Sequence, residues 1–107
     1  MINSKKICGL LGLATRAGKT VFGAEACSQA IEKNKIKLMI IAIDAAERTK
    51  MNFKNICTNK KVPIVECLNI EELSNAIGKS NKAVVGVRDI NFSNEIMKII
   101  NGGEAIG

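Results

Sequence analysis

A chain of 107 residues with a formal net charge of +6 has room for one domain and one core, and is short for a P-loop enzyme. It is 47% hydrophobic with three Phe, no Trp and no Tyr, so the core is aliphatic and an intrinsically disordered chain is excluded. The sequence holds no histidine, which removes Ser-His-Asp and Cys-His catalysis.

The first predicted element is a helix over residues 4–17, where Ile7, Leu10, Leu11 and Ala14 fall at i, i+3, i+4 and i+7. Gly18 follows where a helix C-terminus wants a residue free to adopt φ > 0. Lys19 to Phe22 reads as a short strand. A second helix from Ala24 to near Asn34 is expected to bury Ala24, Cys27, Ala30 and Ile31. The continuous apolar run Ile36 to Ile43 suits a strand covered on both faces. Glu47 to Asn59 reads as a helix with Phe53, Ile56 and Cys57 inward, and Arg48, Lys50, Lys54, Lys60 and Lys61 outside or at its end.

Val62 to Cys67 is a further strand, with the only proline, Pro63, near its start, where a missing N–H is tolerated. Asn69 and Glu72 form a capping pair for a helix that buries Ile70, Leu73 and Ile77 and closes at Gly78. Ala83 to Arg88 is a strand, and Asn91 to Ile100 a helix burying Phe92, Ile96, Ile99 and Ile100. Asn101-Gly-Gly103 stops it, and the last four residues are expected to fray. The order α-β-α-β-α-β-α-β-α describes one α/β domain over 1–107, a four-stranded sheet between helical layers. No repeat, linker or low-complexity segment interrupts it.

Two nucleotide motifs fail on inspection. Gly18-Lys19-Thr20 resembles the end of a P-loop, and the run ending in Asp44 resembles a Walker B strand. Phosphate cradling needs four residues between the glycines, after a strand. Here five separate Gly12 from Gly18, and a helix precedes them. No G-x-G-x-x-G follows a strand, so a dinucleotide site is unsupported and no cofactor is expected. Cys8, Cys27, Cys57 and Cys67 contain no C-x-x-C pair; with no histidine beside them they read as small core residues, not metal ligands. The chain lacks an 18-residue apolar run and a secretory signal, so a cytoplasmic protein without a membrane partner is expected.

The positive charge is unevenly spread. Residues 1–61 hold twelve Lys and Arg against four acids, a balance of +8, and residues 62–107 four against six, a balance of −2. Such a distribution suits either a solvated basic surface or a footprint for a polyanion. Three segments are expected to meet at one end of the sheet: Arg16 to Glu25, Asp44 to Thr49, and Gly78 to Lys82. Small residues there let backbone N–H groups approach phosphates, and the cations neutralise charge. Taken singly, Gly23 also suits a helix start, Asp44 a helix cap, and residues 79–82 a polar turn. With three Phe as the only aromatics, shape and backbone reading of structured RNA suits the composition better than base stacking on single strands.

The string Leu10-Leu-Gly-Leu-Ala-Thr-Arg-Ala-Gly-Lys19, then Gly23, Ala30-Ile31, Lys37-Leu38 with the run to Asp44, Val62-Pro63 and Ile77-Gly-Lys79, resembles the kink-turn-binding ribosomal protein family of the L-seven-Ae type. It is most similar to the small bacterial YlxQ-like branch, over about residues 5–100. The resemblance implies a three-layer α/β/α sandwich with a mixed four-stranded sheet. It also implies non-catalytic association with ribosomal or other structured RNA, with ribosomal or translation-associated proteins as further partners. A protein-interaction adaptor that has lost RNA binding is the alternative on the same fold. Kink-turn binders open the second helix with Gly-x-Asn-Glu-x-x-Lys. Gly23 matches, whereas Glu25, Ala26 and Gln29 stand at the Asn, Glu and Lys positions. The RNA surface implied here comprises Arg16, Lys19, Thr20, Gly23, Ala24, Glu25, Gln29, Asp44, Arg48, Lys79 and Lys82.

Overall fold

The computed structural model describes residues 3–102, in which helices and strands alternate in the order α1 (Ser4–Arg16), β1 (Thr20–Phe22), α2 (Ala24–Glu32), β2 (Leu38–Ile41), α3 (Glu47–Lys60), β3 (Ile64–Glu66), α4 (Ile70–Ala76), β4 (Val84–Val87) and α5 (Ile90–Ile100). Every predicted element is present, with strands trimmed by one or two residues at their ends. The expected fraying after Gly103 lies outside the described residues. The strand order is β1-β4-β2-β3. β4 runs antiparallel to both of its neighbours and β2 runs parallel to β3, so the sheet is mixed. Helix α1 packs against α4 and α5 in one layer, and α2 against α3 in the other.

The central strands explain their composition. Leu38 to Ile41 and Val84 to Val87 are buried at every position, because both faces are covered by helices. Gly86 pairs with Met39 inside the β4–β2 ladder, and a side chain there would have to displace Ile36 and Met39. A Cβ there would lie 2.8 Å from Ile36 Cδ1 and 3.1 Å from Met39 Sδ. Helices contribute the expected stripes, including Ile7, Leu11 and Ala14 from α1 and Ile96 and Ile99 from α5. Gly18 has φ +73°, and Lys19 N donates to Ala14 O at 2.8 Å, so this glycine does end α1.

Two burial expectations are corrected. Ala24 is exposed, because α2 turns only Cys27 and Ile31 fully inward. Lys50 is nearly buried, because its ammonium folds back onto Ile43 O at 2.7 Å and onto Glu66 at 3.3 Å. Lys54 reaches the same carboxylate at 3.0 Å, so α3 pins the edge strand β3. Hydrogen bonds from Lys54 and Lys50 hold the Glu66 carboxyl below its ordinary value of 4.5. A lowered folded value means that the contribution is full above the ordinary value and is lost as pH falls through the folded one. Glu66→Gln is therefore expected to lower the urea midpoint modestly at neutral pH and to match wild type near about pH 2. A gap that persists undiminished in acid would overturn this.

Candidate functional site

Sheet register decides which loops share an end. Phe22 pairs with Val85 across β4, and Ile41 with Val84. Hence β1 and β2 finish where β4 starts, and that edge gathers Gly23, the segment Asp44 to Thr49 that opens α3, and the loop Gly78 to Lys82.

Two helices open at this edge without side-chain caps. Gly23, at φ +91° and ψ 146°, is the N-cap of α2 and has no side chain to offer; Ala46 does the same for α3. The other three helices are capped, α1 by Asn3, α4 by an Asn69–Glu72 capping box and α5 by Asp89. The first-turn N–H groups of α2 and α3 therefore lack side-chain acceptors, and two partial positive charges meet at one edge. Glu25 and Glu47 lie in those same first turns.

Cations complete the edge. Lys79 and Lys82 place their ammonium groups 5.1 and 5.8 Å from the centroid of the Phe22 ring, immediately before Gly23. Buried Ser74 fixes the lysine loop, its hydroxyl accepting from Lys82 N at 2.7 Å and donating to Lys82 O at 3.2 Å. Asp44 does not cap α3. Its Oδ1 accepts from Ile70 N at 2.8 Å, which ties the β2–α3 loop to the start of α4. Asp44, Ser74 and Lys79 consequently line one cleft. Arg48 is exposed in the first turn of α3.

The structure thus brings together Gly23, Ala24, Glu25, Asp44, Arg48, Lys79 and Lys82. It separates Arg16, Lys19 and Thr20 from them, contrary to the expectation that Arg16 to Glu25 acts as one unit. The three residues of β1 span about 10 Å, so the turn before that strand lies at the other end of the sheet. Thr20 is engaged there, its hydroxyl 3.0 Å from that of Thr15. Gln29 sits on the exposed face of α2, in a cleft with Val21, Ala26, Lys33, Lys35 and Arg88. Lys35, Lys37 and Arg88 stand outside the RNA surface expected from the sequence. Their signal was a cation abutting each apolar run, but only the antiparallel placement of β4 aligns those run ends.

The cysteines offer no chemistry. Burial pushes the Cys27 thiol up to about 12 and those of Cys57 and Cys67 up to about 11, far from a reactive thiolate. Cys8 is half-buried and also raised, by burial and then by the nearby Glu72 charge. Among the described residues no three metal-ligating side chains cluster, and no helix is long and apolar enough to cross a membrane.

The pattern of the Ribosomal protein L7Ae/L30e/S12e/Gadd45 family matches residues 5–97. The chain is similar to the RNA-binding protein YlxQ of Enterococcus faecium, 36% identical over 100 residues that cover 94% of this chain and 96% of that one. Its fold matches a protein with unknown function from Bacillus halodurans C, with a TM-score of 0.86, 33% identity, and coverage of 90% of this chain and 97% of that one. A 15.5kD RNA binding protein from Giardia lamblia shares the fold at a TM-score of 0.76 and 22% identity, covering 97% of this chain and 89% of that one. The chain belongs to the Ribosomal protein L7Ae/L30e/S12e/Gadd45 family, in its bacterial YlxQ-like branch.

Proposed function

We propose that this protein is a non-catalytic, cytoplasmic RNA-binding protein that holds structured RNA, ribosomal or ribosome-associated, against the edge formed by Gly23, Ala24, Asp44, Arg48, Lys79 and Lys82. The observation that carries the reading is the pair of uncapped helix N-termini beside the two lysines over Phe22. Oriented N–H donors and cations are what a folded phosphate backbone requires. Phe22 is half-buried, so it supports the lysines and does not offer an open stacking face. The Enterococcus faecium relative is itself an RNA-binding protein by name, which supports the reading. Glu25 brings a carboxylate to the same edge, where it repels phosphate, so the backbone contacts fall to Arg48, Lys79 and Lys82 beside it.

Lys79→Glu/Lys82→Glu is expected to weaken binding of a fluorescent kink-turn RNA, measured by anisotropy at fixed salt, by about a hundredfold. Each lost charged hydrogen bond is worth about 1.5–3 kcal/mol. Unchanged affinity would remove the edge from the RNA contact. The competing adaptor reading rests on Ile43 and Met51, exposed by 55% and 66% beside the edge. It gains if wild-type protein retains no RNA.

A further inference from the structure

The opposite end of the sheet carries a cationic cluster that the RNA contact just described does not use. Because β4 is inserted antiparallel between β1 and β2, three neighbouring strands have their tips there, and each tip bears a cation. Lys19 precedes β1, Arg88 follows β4 and Lys37 precedes β2. Backbone bonds hold the tips in line, Arg88 N donating to Lys19 O and Lys37 N to Val87 O, each at 2.8 Å. At ordinary strand spacing the three backbones span about 10 Å. Lys35 joins from the α2–β2 turn, and these four cations line one shallow cleft with Gly18.

Cations at helix C-termini have a structural explanation in the helix dipole. It covers Arg16, Lys33 and Lys60, which lie in or beside the last turns of α1, α2 and α3. It does not cover Lys19, Lys35, Lys37 and Arg88, which sit in turns or at strand tips. Nor are these four neutralised: none forms an ion pair with a described residue. The nearby acids are engaged elsewhere, Glu32 with Lys60 at 4.0 Å and Asp89 with Phe92 N at 3.0 Å. Four exposed like charges in one cleft repel one another and attract a polyanion.

The cleft also leads back to the edge. Lys35 and Arg88 line the adjoining cleft with Ala26, Gln29 and Lys33, which follow one another along one face of α2. Ala26 stands in the first turn of α2, beside Gly23. The cleft therefore follows α2 for about 10 Å, from its first turn at Ala26 to the cationic end. The cationic end itself holds no apolar anchor of the kind that fixes a protein partner. It suits a regular chain of phosphates.

We infer that Lys19, Lys35, Lys37 and Arg88 receive the phosphodiester backbone of the same RNA that the edge holds, a stem of that RNA running along α2. This rests on the RNA-binding reading above. The contact would add affinity without sequence preference. The probes are two fluorescent kink-turn RNAs, one with its stems trimmed and one with a stem extended by about one helical turn. Wild type is expected to bind the extended RNA about tenfold more tightly, with a salt slope steeper by about 3. Lys35→Glu/Lys37→Glu should abolish that gain and leave the trimmed RNA bound as by wild type. Lys35→Gln/Lys37→Gln should remove about half of the added slope.

The charge-matched Lys5→Glu/Asn91→Glu/Asn94→Glu, on the other helical layer, should keep the gain. The inference is overturned if wild type gains nothing from the extension, if Lys35→Glu/Lys37→Glu keeps the gain, or if the charge-matched control loses it equally. Failure of the edge reading is separate, since it shows as unchanged affinity of Lys79→Glu/Lys82→Glu for the trimmed RNA.

Discussion

Glu25→Asn/Ala26→Glu/Gln29→Lys is expected to raise the affinity for a kink-turn RNA by about a hundredfold, at about 1–3 kcal/mol for each good polar contact to a base edge. The scaffold already meets the demands of that change. Glu25, Ala26 and Gln29 are all exposed, and no described side chain hydrogen-bonds or pairs with them. Gly23 holds the backbone in a conformation that only glycine adopts readily, so α2 starts uncapped and its first turn faces outward. The resemblance places the RNA-reading Asn, Glu and Lys at these three positions. The substitution at 25 also removes a carboxylate from the edge. Anisotropy titration of a kink-turn RNA and of a plain duplex with the same stems checks the expectation. The gain should be confined to the kink-turn. An equal gain on the duplex, or one below about threefold, would show that the first turn of α2 does not touch the bases.

Phe53→Ala is expected to cost about 3–5 kcal/mol, a large share of the roughly 5–15 kcal/mol that holds a domain of this kind. Phe53 is the largest fully buried side chain. It belongs to a long helix that turns only Phe53 and Cys57 fully inward, so it fastens most of α3 to the sheet. Phe92 is only half-buried on α5, and Phe92→Ala should cost less. Urea unfolding of both variants tests this. A loss for Phe53→Ala below about 1.5 kcal/mol would mean that α3 is held by its polar contacts with β3 and not by this ring. The start of α3 is part of the edge, so the variant should also loosen RNA binding.

Most of the fold was legible because each element carries its own periodicity and punctuation. Ile7, Leu11 and Ala14 mark a helix, Leu38 to Ile41 a covered strand, and Gly18 and Gly78 the helix ends. Non-local pairing was not legible in the residues themselves. No local pattern announces that β4 runs between β1 and β2, and that one fact brings Arg88 and Lys37 beside Lys19. Asp44 illustrates the same limit. A carboxylate before a helix reads as that helix's cap, yet its acceptor oxygen serves Ile70, twenty-six positions on. Gly23 is legible as a helix start because a missing side chain there is a local fact. The lysines over Phe22 were found singly, and only folding showed that a ring joins them.

The strand order also governs how the chain can assemble during synthesis. β1 has no sheet partner except β4, whereas β2 and β3 can pair as soon as both have formed. A growing chain that has emerged as far as α4 therefore holds two unconnected pieces, a lone three-residue strand and a parallel pair. Val84 to Val87 joins them by closing both ladders together, late in the order in which residues leave the ribosome. Until then the apolar edge of β2 has no partner, so the shortness of the α4–β4 connection limits how long that edge stays open to other chains.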